Sequence, residues 1–187
     1  MVIDTHIHPA LFAPICGDDA RFQARCDEMN YHLMKPSPLE LLKKQYALAD
    51  IQRVVLLPED CSCETDVPAI SNDDIARLTA LEPELFLGLA SADPRCGNAA
   101  EELERAFTVL GLRGLKINTA RLGMYPGDSR LLPLYDLCRR YKKPVVFHAG
   151  LCLEQKALAK YARPMDFEEV AAAYPDINIC LAHMGWP

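Results

Sequence analysis

The chain has 187 residues, 50% of them hydrophobic and 25% charged, and carries a net charge of −6 from 20 Lys and Arg against 26 Asp and Glu. These ordinary globular proportions exclude a disordered segment, a collagen-like fibre and a coiled coil. No apolar run approaches the ~18 residues that span a bilayer, and a mildly acidic chain lacks the basic face that nucleic acid demands.

Val2-Ile3-Asp4 follows Met1 directly, with neither the basic region nor the apolar stretch of a signal peptide. The expected location is cytoplasmic, and the 8 Cys are expected to be reduced and to serve as small hydrophobes. Cys61-Ser62-Cys63 has neither the spacing nor the second pair of a zinc site, so metal binding there is disfavoured.

Short apolar runs alternate with stretches of helical spacing. In chain order, a strand is predicted from Val2 to His8, then an irregular stretch from Pro9 to Pro36. Ser37-Pro38-Leu39-Glu40 reads as a capped helix start, and the helix runs to Ala49. Strand two is Arg53 to Leu57, and a helix follows from Ser71 to Leu81. Strand three is Leu85 to Ala90, followed by a helix from Asn98 to Leu110 with Leu103, Ala106, Phe107 and Leu110 on one face. Strand four is Arg113 to Asn118, then a helix from Ser129 to Tyr141. Strand five is Pro144 to His148; a helix from Asp166 to Tyr174, with Asp166 and Glu169 as a capping pair, leads to strand six, Ile177 to His183.

After the first long gap the strands recur every ~30 residues, the period of one βα unit. Strands alternating with helices make parallel sheets covered on both faces, as the apolar runs Val54-Val55-Leu56-Leu57 and Val145-Val146-Phe147 suggest. Six such strands suit either an open doubly wound sheet or part of an eight-stranded barrel. No Gly-rich phosphate loop follows any strand, which leaves nucleotide binding without support.

Four of the five histidines stand at C-terminal ends of predicted strands: His6 and His8 on strand one, His148 on strand five, His183 on strand six. In a parallel barrel those ends form the mouth where active sites are built. Residues two apart on a strand face the same way, so His6 and His8 can chelate one cation. Neutral imidazole suits Zn, Fe, Mn, Co and Ni, and Asp4 and Thr5 can orient the rings. His32 lies in the polar stretch and reads as a surface residue.

Val2-Ile3-Asp4-Thr5-His6-Ile7-His8-Pro9 resembles the amidohydrolase superfamily, most closely the amidohydrolase-related branch that also contains non-oxidative decarboxylases. Gly114-Leu115-Lys116-Ile117, Pro133-Leu134-Tyr135-Asp136-Leu137-Cys138, Pro144-Val145-Val146-Phe147-His148-Ala149-Gly150 and Leu181-Ala182-His183-Met184-Gly185-Trp186-Pro187 extend the resemblance along the chain in order. It implies an α/β fold, a distorted (β/α)8 TIM-type barrel, with a metal at its mouth held by His6, His8 and His148. His183 is then the catalytic residue that binds and orients the attacking water or substrate, or a second metal. The strand-eight Asp that completes such sites has no counterpart, because only about six of eight strands are present. Two more units would add about 60 residues and approach the ~250 typical of such barrels. The expectation is one domain, 1–187, truncated at its C-terminal end. Strands one and six would then be open edges, inviting a second copy or a chain that supplies the missing strands.

Lys116, which some superfamily members carry as a metal-bridging carbamate, reads as a substrate-facing or structural ammonium. Arg121 and Arg130 read as solvated surface residues ahead of carboxylate clamps. The leading expectation is a metal-dependent hydrolase that turns a metal-activated water on a small amide, lactone or ester. The divalent ion is expected to be Zn ahead of Mn, Fe, Co or Ni. The alternative is a metal-dependent decarboxylase on the same scaffold, and a third reading is an inactive remnant or partner-binding subunit.

Overall fold

Each strand pairs in parallel with the next one in sequence. The computed structural model describes residues 2–17, 19–28, 34–65, 70–152, 154 and 156–186; His32 lies outside them. Strands β1 (Val2–Ile7), β2 (Ile51–Leu56) and β3 (Phe86–Gly88) form one three-stranded sheet, and β4 (Leu115–Ile117), β5 (Val145–Phe147) and β6 (Ile179–Leu181) a second. The two sheets meet where Ala90 bridges Leu115: the Ala90 N–H donates to Gly114 O at 2.7 Å and the Lys116 N–H to Ala90 O at 2.7 Å. The spatial order therefore runs from β1 to β6 without reversal. A doubly wound sheet reverses its order at a switch point. The consecutive order instead belongs to the curled sheet of a (β/α)8 barrel, of which six strands are present.

Eight helices accompany these strands among the described residues: α1 (Asp19–Glu28), α2 (Leu39–Leu48), α3 (Ser62–Thr65), α4 (Asn72–Leu81), α5 (Ala99–Thr108), α6 (Thr119–Leu122), α7 (Leu132–Arg140) and α8 (Glu168–Ala173). Among them none is long and apolar enough to cross a membrane. Helix α4 starts on a capping box. The Asp74 N–H donates to Ser71 Oγ at 3.1 Å, and the Ser71 N–H donates to the Asp74 carboxylate at 3.1 Å. Helix α5 buries Leu103, Ala106 and Phe107 at the predicted spacing, with Leu110 packed beyond its end.

Three local expectations differ. Helix α1 occupies a stretch expected to be irregular. Its buried anchor is Arg25, which donates to Ala10 O at 3.1 Å and Ile15 O at 3.3 Å, so apolar periodicity hides the helix. Ser37 does not cap α2: its backbone is engaged with Leu11 and Ala13 beside Phe12, and Pro38 takes the N-cap position. Asp166 does not cap α8 but accepts from Arg163.

Period-2 alternation sorts the strand residues. Val54, Leu56, Phe86, Leu115, Ile117, Val145 and Phe147 are buried and point outward into a core shared with Ile75, Leu78, Leu103, Leu134, Tyr135, Phe167 and Val170. Val55, Leu87, Val146 and Cys180 point inward and line a hollow of about 580 Å³ with His6 and His183 at its rim. The hollow lies on the side where β1 and β6 have no second neighbour among the described residues, and Val2 and Ile3 are 45% and 43% exposed. Deleting a filled outer-core position is expected to cost stability without touching the mouth: Leu103→Ala should lower unfolding free energy by about 3 kcal/mol in a urea titration while leaving metal uptake unchanged.

Candidate metal centre

His6 stands on β1 and His8 one residue past it, so the alternation of β1 carries both imidazoles to one end of the arc. His148 directly follows β5, and its N–H donates to Ile117 O at 2.9 Å, which extends the β4–β5 ladder to the site. His183 lies two residues past β6, in a 3₁₀ turn at Ala182–Gly185, with φ of 60°. A positive φ in a non-glycine residue is uncommon and here re-aims the ring. Gly150 helps hold this turn. At φ of +97° it lies so close that a Cβ would collide with the Trp186 carbonyl, and the neighbouring Leu151 N–H donates to that carbonyl at 2.7 Å.

The four rings gather in the order His8, His6, His183, His148, with successive centroids 5.2, 4.7 and 4.7 Å apart. Two imidazoles on one tetrahedral ion, bound at ~2.0–2.1 Å, have centroids about 5 Å apart. Each neighbouring pair thus has the spacing of shared ligation. The ring nitrogens do not yet converge on a point. Among the described residues, the one trio of ligand atoms all within 4.8 Å is Cys63, Asp93 and Cys96. Rotation about χ2 swings ring nitrogens while leaving centroids nearly fixed.

The donor chemistry fits a divalent cation. Burial first, and the charge of Lys116 next, pull His6 down to about 3 and His148 to about 4, and they lower His183 in the same direction. Burial also lowers His8, against the opposing charge of Glu59. All four rings are therefore neutral at pH 7, the form that donates a lone pair. His148 Nε2 lies 2.9 Å from Leu151 O. A carbonyl can only accept, so Nε2 carries the hydrogen and Nδ1 holds the lone pair. His8 Nδ1 is buried with no hydrogen-bond partner, an orphan that a cation would satisfy.

Glu59 beside His8, and a run of charged residues in the adjoining loops, complete the surroundings. Glu59, past the end of β2, accepts from Asn118 Nδ2 at 2.6 Å. Burial pushes its carboxyl up, but His8 and Lys116 more than offset this and hold it below the usual range. Glu154 beside it is pushed up to about 8 by burial and by Glu59, so the pair holds one charge and one proton at pH 7. Arg121 pairs with Glu64 at 2.7 Å and Glu154 at 3.7 Å, Glu64 with Arg95 at 2.8 Å, and Arg95 with Asp93 at 2.7 Å. Arg121 is thus buried and ion-paired, where a solvated residue was expected; Arg130 is exposed and paired with Asp128. The signal for Glu59 was its place just past the C-terminal end of a strand, the position that singled out the histidines.

Cys63 and Cys96 form a disulfide between the loops after β2 and β3, with Cα atoms 5.8 Å apart, which corrects the expectation that the cysteines are reduced. Parallel βα repeats set these loops side by side, a proximity invisible in residues 33 apart. Sulfurs bonded to each other cannot bind a cation with Asp93. Cys16, Cys26, Cys61 and Cys138 are free and buried as expected.

The sequence pattern of the family described as Amidohydrolase matches residues 3–187. A 2-amino-3-carboxymuconate-6-semialdehyde decarboxylase from Dictyostelium discoideum is 26% identical over 136 residues, 64% of this chain, and the match spans 38% of that enzyme's length. An uncharacterised TIM-barrel protein from Bordetella bronchiseptica superposes with a TM-score of 0.74 at 23% identity, over 100% of this chain and 68% of the other. A dihydroxybenzoic acid decarboxylase from Polaromonas, solved with bound manganese and the inhibitor 2-nitroresorcinol, gives 0.64 at 18% identity over 98% of this chain and 65% of the other.

Two outcomes follow for the rings. His6→Ala should weaken binding of Zn or Mn at least tenfold, measured as metal retained per chain after dialysis, with the fold kept by circular dichroism. In metal-free protein the imidazoles resist protonation that the unfolded chain accepts near pH 6.5. Stability is therefore full above pH 6.5 and falls as pH drops from 6.5 toward 4, where the unfolded state binds more protons. Thermal melts across that window should show the fall, smaller in His148→Gln.

Proposed function

This chain belongs to the amidohydrolase family, in the branch that holds metal-dependent decarboxylases, and from that premise we propose that it carries the metal centre of a non-oxidative decarboxylase acting on a small unsaturated or aromatic carboxylic acid. The observation that carries the reading is the cluster of four neutral imidazoles at the mouth of the arc. The decarboxylase relatives favour loss of CO2 over hydrolysis of an amide, lactone or ester, which would use the same side chains.

His6, His8 and His148 would hold the divalent ion. When bound, the ion supplies fixed positive charge that draws the substrate's oxygens and stabilises the negative charge left as CO2 departs. His148 is held for this role by its Nε2–H bond to Leu151 O. His183 is the catalytic residue. It stands between the His6 and His148 rings and lines the hollow; its neutral ring would first take up a proton from water or from the entering acid and then hand that proton to the carbon from which CO2 has left. The Glu59–Glu154 pair sets the charge behind His8. The 1–187 unit is one domain. Its open β1 and β6 edges take further strands, on the same polypeptide or on another copy, which close the hollow and complete the ligand set.

The test is product analysis on metal-loaded protein. Dihydroxybenzoic acids and unsaturated dicarboxylic acids are offered with Mn or Zn, and evolved CO2 is compared with hydrolysis of lactone and ester panels. CO2 release that is abolished by chelation, and reduced at least a hundredfold in His183→Asn with metal still bound, is the expected result. Ester or lactone hydrolysis without CO2 would overturn it, and stoichiometric metal with neither product would leave an inactive scaffold.

A further inference from the structure

We propose that Lys116 receives the substrate's carboxylate and thereby selects anionic over neutral substrates. The proposal rests on the decarboxylase reading for the identity of the substrate, and on Lys116 itself for the binding. Lys116 is 1% exposed, and its Nζ has no hydrogen-bond partner among the described residues. A lysine amine carries N–H donors whether charged or not, and leaving all of them unfilled in a protein interior is costly; burial pulls Lys116 below its usual range, so an anion laid against it would restore its charge. The side chain leaves β4 on the inward face, in register with Val146 of β5, which is in turn in register with Cys180 of β6. Val146 and Cys180 line the hollow whose rim holds His6 and His183. The register sets Lys116 opposite Val146, two residues before His148 on the neighbouring strand, and its charge acts on all four imidazoles.

The other cations near the mouth are committed. Arg121 is taken by Glu64 and Glu154, and Arg95 by Asp93 and Glu64. The nearby carboxylates do not fill the lysine's donors either: Glu59 accepts from Asn118, and Glu154 is paired with Glu59 and Arg121. A carboxylate that reached the space between the imidazoles and Lys116 would meet unfilled N–H donors there. A neutral ligand of the same shape would leave those donors unpaired, the arrangement from which a polar site gains its largest discrimination. A lysine needed only to fill space would be served as well by an apolar chain of its length.

The probes are benzoate and its neutral isostere benzamide, titrated calorimetrically into Mn-loaded and metal-free protein, with metal per chain and melting temperature recorded for each variant. Wild type should prefer benzoate. Lys116→Met should weaken benzoate at least tenfold, change benzamide less than twofold, keep its metal, and melt no lower than wild type. Lys116→Arg should recover part of the benzoate affinity, and it remains informative if the Met variant fails to fold. Equal benzoate affinity in wild type and Lys116→Met, or no preference of wild type for benzoate, would overturn the proposal. Lys116-dependent benzoate binding by a chain that takes up no metal would sink the decarboxylase reading and leave this one standing. A metal-loaded enzyme that releases CO2 but whose benzoate affinity ignores Lys116 would do the reverse.

Discussion

Parallel pairing of each strand with its successor is the constraint on which the rest depends. Because the strands all run the same way, their C-terminal ends share one rim. Because side chains alternate, each strand end delivers its inward residue there without any loop having to find it. Histidines 6, 8, 148 and 183 lie as far as 177 residues apart; the first three need only a common strand direction and the right parity to meet, and His183 joins them through the left-handed turn after β6. The ladder bonds that fix this parity are backbone bonds, such as Lys116 N–H to Ala90 O and His148 N–H to Ile117 O. They are insensitive to most side-chain changes and keep the site in register.

Gathering four imidazoles and an ammonium in a poorly solvated hollow carries an electrostatic cost, and the fold answers it with alternating charge around the rim. Asp93, Arg95, Glu64, Arg121 and Glu154 form a chain of acid–base neighbours drawn from the loops after β2, β3, β4 and β5, and Glu154 shares a proton with Glu59 at its end. Buried ion pairs add little net stability once desolvation is counted. Their effect here is positional: each loop is tied to the next, and the negative end of the chain comes to rest against His8 and Lys116. The Cys63–Cys96 disulfide ties two of the same loops covalently beside Asp93.

The rim is not symmetric. From β2 to β5 it is packed, paired and capped, whereas between β6 and β1 the inner face opens into the hollow. The imidazoles border this opening, and His183 reaches it on a left-handed turn braced by Gly150.

Much of this was legible in the residues themselves. The period of the apolar runs, their parity and the placing of His6, His8, His148 and His183 at strand ends depend on local pattern, which backbone geometry converts directly into position. The apolar face of α5 was readable for the same reason. Other features depended on contacts between residues distant in sequence. Helix α1 is anchored by an arginine whose carbonyl acceptors lie 10 and 15 residues away, so no apolar stripe announces it. The choice between a doubly wound sheet and a barrel was a matter of strand order, which periodicity does not encode. The pairing of Cys63 with Cys96, the burial of Arg121 and the sharing of one proton by Glu59 and Glu154 arise only when neighbouring βα loops come together at the rim. Sequence by itself determined which groups would face the mouth; tertiary structure alone decided which of them would be satisfied there, because hydrogen bonds and ion pairs are made with whatever folding brings near.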